Sequence, residues 1–171
     1  SMVDCRGITN FLSASTSNFV FIRGMHVANA YAKSGQASAF LGSGGTLQVY
    51  RSTVELYNFI SVGGKADEVG GGIFVRASNV ALFHSGLRMG YARRYGGGIY
   101  MDGSTVTLDR WSEIANNEAA VGGGAAVFGP ESTLKGQATK CHGNSALQTS
   151  AIEGASGRGG TIYLEGKTIV E

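Results

Sequence analysis

The 171-residue chain has one proline, two cysteines and few charged residues, and each shortage excludes a class of protein. Two cysteines cannot form a disulfide framework, and their spacing matches no metal-binding motif. Charged residues make up 15% of the chain, the net charge is +2 and no run of Lys or Arg occurs, which argues against nucleic acid as a partner. No apolar stretch reaches about 18 residues, so the sequence contains no candidate membrane span.

Glycine, in contrast, is abundant. The chain contains 28 glycines, which is more than twice the average usage of about 7%. Because proline is almost absent and the glycines show no collagen period, this composition favours many tight turns over disorder. The apolar fraction of 43% is enough for a core, and the length predicts a single domain over residues 1–171.

The glycines include three triplets at a constant interval. The triplets begin at residues 70, 96 and 122, so each lies 26 residues after the one before it. Their members are Gly70, Gly71, Gly72, Gly96, Gly97, Gly98, Gly122, Gly123 and Gly124. The residues that follow align in two apolar columns, which are Leu47, Ile73, Ile99 and Ala125, and then Val49, Val75, Met101 and Val127. Apolar residues at i and i+2 are typical of a strand with one buried face.

A repeat of this kind predicts a solenoid. One unit of strand, turn, strand, irregular arc and glycine turn cannot bury its own apolar face, whereas stacked units place like residues on like residues about 4.8 Å apart. We therefore predict an all-β fold, a single-stranded right-handed parallel β-helix of about five to six coils with a 26-residue repeat. The glycines are expected at corners where a Cβ has no room. A propeller needs about 40–45 residues per blade, and no helical apolar period is sustained, so these alternatives fit less well.

The sequence also resembles a known group of β-helix proteins. The stretch IANNEAAVGGGAAV, residues 114–127, is similar to the repeat of chlamydial polymorphic membrane proteins, in which Phe-x-x-Asn precedes Gly-Gly-Ala and an aliphatic residue. Ile114 stands at the Phe position and Asn117 at the Asn position, while Asn144 in CHGNSA belongs to a second copy. Asn29 corresponds to the turn Asn of the first coils. The resemblance implies a pectin-lyase-like fold and a passenger-like stalk on a cell surface, often an adhesin, and the same architecture also hosts polysaccharide lyases and epimerases.

Several polar and sulfur-containing residues are expected to be structural. Asn29, Asn117 and Asn144 fall at coil corners, where Asn tolerates left-handed backbone geometry and can hydrogen bond along the stack. Cys5 and Cys141 belong to the first and fifth coils. The stacking distance separates them by roughly 19 Å, beyond the reach of about 7 Å for a disulfide, so both are expected to be free thiols.

Three arginines, Arg88, Arg93 and Arg94, have two candidate roles. They could form a basic patch that binds an acidic glycan. However, Asp67 and Glu68 lie 26 residues before Arg93 and Arg94, and hence directly beneath them in the neighbouring coil. Opposite charges that face each other across strands stabilise pairing by about 0.2–1 kcal/mol, so inter-coil ion pairs are favoured over a ligand site.

Aromatic residues also align between coils. Phe74 and Tyr100 share a column on the outer side of the first strand of each unit, and Tyr57 and Phe83 share another further along. Exposed aromatics in a row can bind sugar rings, and they can equally form a stacked ladder that stiffens the sheet. The sequence leaves both interpretations open. Phe74 and Tyr100, with the three arginines, are therefore the candidate ligand-binding residues.

No catalytic or metal-binding pattern can be read from the sequence. His26, His84 and His142 lie 58 residues apart, which is more than two coils or about 10 Å along the axis, so no two of them can share an ion. The twelve acidic residues scatter over different columns, and no calcium loop or phosphate-binding loop occurs. No metal or cofactor is expected. The sequence favours a non-enzymatic function, with a polysaccharide lyase or epimerase remnant as the open alternative.

The sequence as a whole predicts a structural or adhesive segment. Residues 1–2 look like an expression scar, and both ends expose strand edges, which favours a fragment of a longer solenoid or a chain that forms end-to-end or edge homodimers. The insertion at residues 147–158 is expected to contact a partner. We expect an extracellular or cell-surface protein whose rigid faces meet a polysaccharide or a host or cell-surface protein. A carbohydrate-binding module is the second hypothesis.

Overall fold

The chain folds as a parallel β-solenoid. The computed structural model describes residues 2–5, 12–16, 18–34, 42–147, 158–165 and 168–170. Within these ranges the chain forms 23 strands and no helix. The strands wind as a right-handed solenoid of about five turns, which confirms the predicted fold class.

The strands follow one another coil by coil. One strand, β1 (Met2–Asp4), precedes the coils. The first coil contains β2 (Leu12–Ser15), β3 (Val20–Arg23), β4 (His26–Ala28) and β5 (Tyr31–Ala32). The second contains β6 (Leu47–Tyr50), β7 (Thr53–Tyr57), β8 (Ile60–Val62) and β9 (Lys65–Ala66). The third contains β10 (Ile73–Arg76), β11 (Asn79–Phe83), β12 (Gly86–Arg88) and β13 (Tyr91–Tyr95).

The later coils repeat this order. The fourth contains β14 (Ile99–Asp102), β15 (Thr105–Leu108), β16 (Glu113–Ala115) and β17 (Glu118–Val121). The fifth contains β18 (Ala125–Phe128), β19 (Ser132–Gly136), β20 (Lys140–His142) and β21 (Ser145–Ala146). A sixth coil begins with β22 (Ile162–Leu164) and β23 (Thr168–Val170).

Equivalent strands of successive coils pair in parallel and form four sheets. Sheet A contains β1, β4, β8, β12, β16 and β20, and sheet B contains β2, β6, β10, β14, β18 and β22. Sheet C contains β3, β7, β11, β15, β19 and β23, and sheet D contains β5, β9, β13, β17 and β21. Each full coil therefore passes through sheets B, C, A and D in turn, one strand spacing of about 4.8 Å from the next coil.

The apolar columns pair in register inside the solenoid. Ile73 pairs with Leu47 on one side and with Ile99 on the other, and Ile99 pairs with Ala125. All four are buried within one continuous core. Alternate residues of each strand face this core, which is why the period of two in the sequence identified the strands correctly.

The glycine triplets lie at the corner between sheets D and B, where two backbones touch. Gly96 has a φ of +66°, a left-handed conformation that L side chains rarely adopt. A Cβ on Gly97 would lie 2.5 Å from the backbone O of Glu118, and a Cβ on Gly98 would lie 2.6 Å from the backbone O of Gly124. The first position of the triplet therefore requires the backbone conformation of glycine, and the other two require its small size. The two other triplets show the same pattern.

The two largest departures from the 26-residue interval are longer connections that both lie between sheets D and B. Leu47 pairs with Leu12, 35 residues earlier, because extra residues follow β5. Ile162 pairs with Ala125, 37 residues earlier, because extra residues follow β21. This second connection contains the insertion predicted at 147–158, of which residues 148–157 lie outside the described residues. The first was not predicted, since the first coil carries no glycine triplet against which a shift would be seen.

Candidate ligand-binding face

The three arginines singled out in the sequence do not form one patch. Arg88 lies in sheet A, whereas Arg93 and Arg94 lie in sheet D. Nε of Arg88 lies 2.5 Å from Oε2 of Glu113 in the next coil. Nη1 of Arg94 lies 3.2 Å from Oε2 of Glu68 in the previous coil, which is the ion pair that the 26-residue spacing indicated. These two guanidinium groups therefore serve to connect coils.

The carboxylate of Asp67 accepts hydrogen bonds from Tyr31 and Ser34. Tyr31 donates its hydroxyl to Oδ1 over 2.5 Å, and Ser34 donates its backbone N–H and its hydroxyl to Oδ2, each over 2.8 Å. Burial alone would raise the pKa of Asp67, but these hydrogen bonds and the charge of Arg93 lower it overall from its ordinary value of 3.8. The carboxylate thus ties the residues after β5 to sheet D.

Phe74 and Tyr100 belong to a packed aromatic cluster on the outer face of sheet B. They lie in register, with parallel rings whose centroids are 5.5 Å apart. Of the two roles that the sequence left open, the buried position of Phe74 fits the stacked ladder, since the residue is only 4% exposed and its ring is not accessible to a ligand. Tyr95 and Phe128 pack against Tyr100 with centroid distances of 6.4 and 5.3 Å. Burial raises the pKa of Tyr100 to about 12, and the charge of Asp102 adds to the effect.

The three asparagines singled out in the sequence occupy two columns of the corner between sheets A and D. Asn29 has a φ of 56° and shares its column with Asn116, whose φ is 55°. Asn117, one residue further on, is buried. Its Nδ2 donates to Oδ1 of Asn144 over 3.0 Å. In the fourth coil the left-handed residue is therefore Asn116, while Asn117 and Asn144 form a hydrogen-bonded ladder.

A second group of aromatic side chains runs along the outer face of sheet C. Phe21, Tyr57 and Phe83 come from three successive coils, and we call them the aromatic row. Ring centroids are 5.1 Å apart between Phe21 and Tyr57, and 4.4 Å apart between Tyr57 and Phe83. Phe21 is 52% exposed, and the other two are half-buried. Unlike Phe74, these rings are open to solvent.

An open groove lies beside the aromatic row. The rings form its apolar wall, and Arg23, Asn58 and His84 line the remainder; we call it the aromatic groove. Its volume is about 380 Å³, which falls within the range of about 300–1,000 Å³ typical of small-molecule sites. A guanidinium, an amide and an imidazole beside aromatic rings suit a ligand with apolar faces and hydroxyl-bearing edges, as a sugar ring has.

Trp111 extends this surface into the fourth coil. The turn that carries Trp111 is one residue longer than the equivalent turn of the third coil. Ser112 accepts a hydrogen bond from the backbone N–H of Ser85, its equivalent in the third coil, and stands 27 residues after it. The indole ring lies 6.2 Å from the His84 ring and is tilted by 22° from it. The guanidinium of Arg110 lies 5.2 Å from the indole centroid. Because Trp111 is 59% exposed, accessible aromatic surface extends from the first coil to the fourth.

Asp109 holds this longer turn in place. Its Oδ1 accepts from the Ser112 hydroxyl over 2.7 Å and from the backbone N–H groups of His84 and Trp111 over 3.0 and 3.1 Å. Nδ1 of His84 lies 3.2 Å from Oδ2. Burial raises the pKa of Asp109, but these hydrogen bonds lower it overall. The ionised carboxylate thus sets the position of His84 relative to Trp111.

Sequence reasoning found only part of this face. It aligned Tyr57 with Phe83, because both obey the 26-residue interval. It missed Phe21, which pairs with Glu55 and so lies two residues outside the column of Tyr57, and Trp111, which the one-residue longer turn moves out of the interval. The signal that aligned these aromatic residues was the constant interval of 26 residues, and both Phe21 and Trp111 break it.

The described residues show neither a metal centre nor a membrane-spanning helix. In those ranges no three His, Cys, Asp or Glu side chains come together as metal ligands, and no helix is long and apolar enough to cross a membrane. Cys5 and Cys141 are both free, as predicted. Comparison of the chain with family models, curated proteins and solved structures found no match. The resemblance to polymorphic membrane proteins therefore stays a prediction, and the fold rests on the geometry itself.

Proposed function

We propose that this chain is a rigid, adhesive β-helical segment that binds a carbohydrate polymer through the aromatic groove of sheet C. The observation that carries the proposal is the aromatic row, three adjacent and accessible rings beside a groove lined by Arg23, Asn58 and His84. Aromatic rings provide large apolar contact area at low entropic cost, and the polar groups beside them can bond hydroxyls.

The solenoid supports this role because it holds the row rigidly. Tyr57 and Phe83 are attached to β7 and β11, which are paired on both sides. Phe21 is attached to β3, which pairs with β7. A site that is already ordered loses little conformational entropy on binding, so more of the contact energy appears as affinity. The function is display and attachment, and we place it outside the cell or at the cell surface, where long polysaccharides are met.

Binding of the purified protein to a panel of soluble and insoluble polysaccharides tests the proposal. We expect Tyr57→Ala to weaken binding by about ten-fold, since one aromatic contact accounts for about 0.5–1.5 kcal/mol beyond the area it buries. Tyr91→Ala is the matched control, because Tyr91 is an exposed tyrosine on sheet D, away from the groove. Equal losses in the two variants, or a wild-type protein that binds no polysaccharide, would overturn the proposal.

A further inference from the structure

A ladder of buried serines forms the corner between sheets B and C. Ser52, Ser78, Ser104 and Ser132 occupy the same position in four successive coils, and all are buried. The backbone N–H of each of the first three donates to the hydroxyl of the serine in the next coil, over 3.1, 3.2 and 3.3 Å. The hydroxyls of Ser78 and Ser104 in turn donate to the carbonyl two residues earlier, over 2.7 Å. The hydroxyls and backbone N–H groups of the ladder therefore find their hydrogen-bond partners within the corner, and these bonds make the corner rigid.

A continuous groove runs along the outside of this corner. The residue before each serine has a positive φ, which turns the chain sharply; these residues are Arg51, Ala77, Gly103 and Glu131. Two adjoining depressions share the residues 77–79 and so form one channel. The channel extends from Asn18 in the first coil to Pro130 and Glu131 in the fifth. We call it the polar groove.

Three polar side chains line the polar groove at a regular interval. Thr53, Asn79 and Thr105 are in register at the first positions of β7, β11 and β15, one strand spacing of about 4.8 Å apart. Asn79 is exposed, and the two threonines are half-buried. Within the described ranges, none of these three side chains has a hydrogen bond to the protein. Two hydroxyls and one amide are thus free to bond a ligand.

We propose that the polar groove binds a neutral, hydroxyl-rich polysaccharide chain that lies along the solenoid axis. A polyanion such as a nucleic acid needs several cations, whereas Arg51 is the one cation among the described residues that line the groove, and Glu131 lies at the opposite end. An added peptide strand needs an open sheet edge, whereas β7, β11 and β15 are each paired on both sides. Hydroxyl and amide groups repeated at a constant interval match a polymer that carries hydroxyls in every unit.

The polar groove and the aromatic groove lie at opposite ends of the strands of sheet C. Thr53 and Tyr57 stand at opposite ends of β7, four residues or about 13 Å apart. The inference takes its ligand class from the proposed function and extends it: sheet C contacts two parallel chains, as they occur at the surface of an insoluble polysaccharide. A short soluble oligosaccharide would occupy the aromatic groove alone.

The test compares insoluble cellulose, chitin and curdlan with short soluble oligosaccharides of the same sugars. The triple variant Thr53→Val, Asn79→Ala, Thr105→Val removes the hydrogen-bonding groups of the polar groove, and the threonine changes nearly preserve shape. We expect it to bind the insoluble polymer about ten-fold more weakly than wild type and the oligosaccharide equally well. Thr107→Val is the control, because it removes a hydroxyl from the same sheet outside the groove. Circular dichroism and urea unfolding show whether each variant is folded. If the triple variant does not fold, the single variant Asn79→Ala is measured in its place.

Tyr57→Ala separates this inference from the proposed function. If both hold, Tyr57→Ala weakens binding of oligosaccharide and polymer alike, whereas the triple variant affects the polymer only. A triple variant that binds the polymer as tightly as wild type overturns the polar groove and leaves the aromatic groove standing. Loss of polymer binding in the triple variant, together with wild-type binding by Tyr57→Ala, overturns the aromatic groove alone. A wild-type protein that binds none of these polysaccharides overturns both.

Discussion

Nδ2 of Asn117 donates to Oδ1 of Asn144, 3.0 Å away in the next coil. The same buried side chain accepts from the backbone N–H of Gly90 over 2.8 Å and donates to the backbone O of Leu87 over 2.9 Å. One amide therefore satisfies two backbone groups of the coil below and connects to the coil above. Since buried backbone groups rarely go without partners, this contact is central to the corner between sheets A and D.

Asn117→Ala is expected to destabilise the protein by about 3 kcal/mol, because it leaves the backbone N–H of Gly90 and the backbone O of Leu87 buried without partners. Urea unfolding followed by circular dichroism measures the loss. Asn116→Gly is the control, since its φ of 55° suits glycine and a change of only a few tenths of a kcal/mol is expected. Equal losses in the two variants would contradict the ladder.

Gly97→Ala and Gly103→Ala form a second matched pair. A Cβ on Gly97 would meet the backbone of Glu118 and Gly123, which cannot move without separating coils. We expect a loss above about 4 kcal/mol, or failure to fold. A Cβ on Gly103 meets nothing within 4 Å, so only its positive φ opposes the change, at a cost of about 1–2 kcal/mol. Thermal unfolding ranks the two, and the reverse order would be incompatible with the packing of the triplets.

Stability is expected to fall in acid, and Glu113 accounts for part of the fall. Burial raises the pKa of Glu113, but hydrogen bonds from His142 and Arg88 lower it overall from its ordinary value of 4.5. The unfolded chain then binds the proton more readily, so this stabilisation is present above the ordinary pKa and is lost as the pH falls through the folded value. Glu113→Gln should therefore show a shallower decline in unfolding free energy between about pH 7 and about pH 3. Identical slopes for variant and wild type would refute the assignment.

Stability is also expected to fall in alkali, and Tyr100 accounts for part of that fall. Burial raises its pKa from 10.0 to about 12, so its contribution to stability is complete below pH 10.0 and is lost as the pH rises towards about 12. Ultraviolet absorbance of tyrosinate follows this titration in the folded protein. We expect Tyr100→Phe to remove its alkaline end and to flatten the loss of stability there. If the alkaline end is unchanged in Tyr100→Phe, another tyrosine is responsible.

Most of the fold could be predicted because its residues recur at a constant interval. Ile73 and Ile99 are one repeat apart in the sequence and are paired in the structure. The candidate site was harder to predict, since Phe21 lies two residues outside the column of Tyr57 and a one-residue longer turn shifts Trp111 out of the interval. The serine ladder was detectable, because Ser52 and Ser78 are also 26 residues apart and hydrogen bonded, but a small polar residue at a turn carries no signal of burial.

The architecture was determined by the sequence itself, since periodic apolar residues and glycine triplets can bury their surface only by stacking coil on coil. Which outer face is open was decided only by the tertiary structure. Phe74 and Phe83 follow the same strand period and each stacks on a tyrosine, Tyr100 and Tyr57 respectively. Phe74 nevertheless is buried in the cluster on sheet B, while Phe83 borders a groove. Accessibility depends on side chains that other strands and corners bring over a sheet, and the local period of one strand does not encode them.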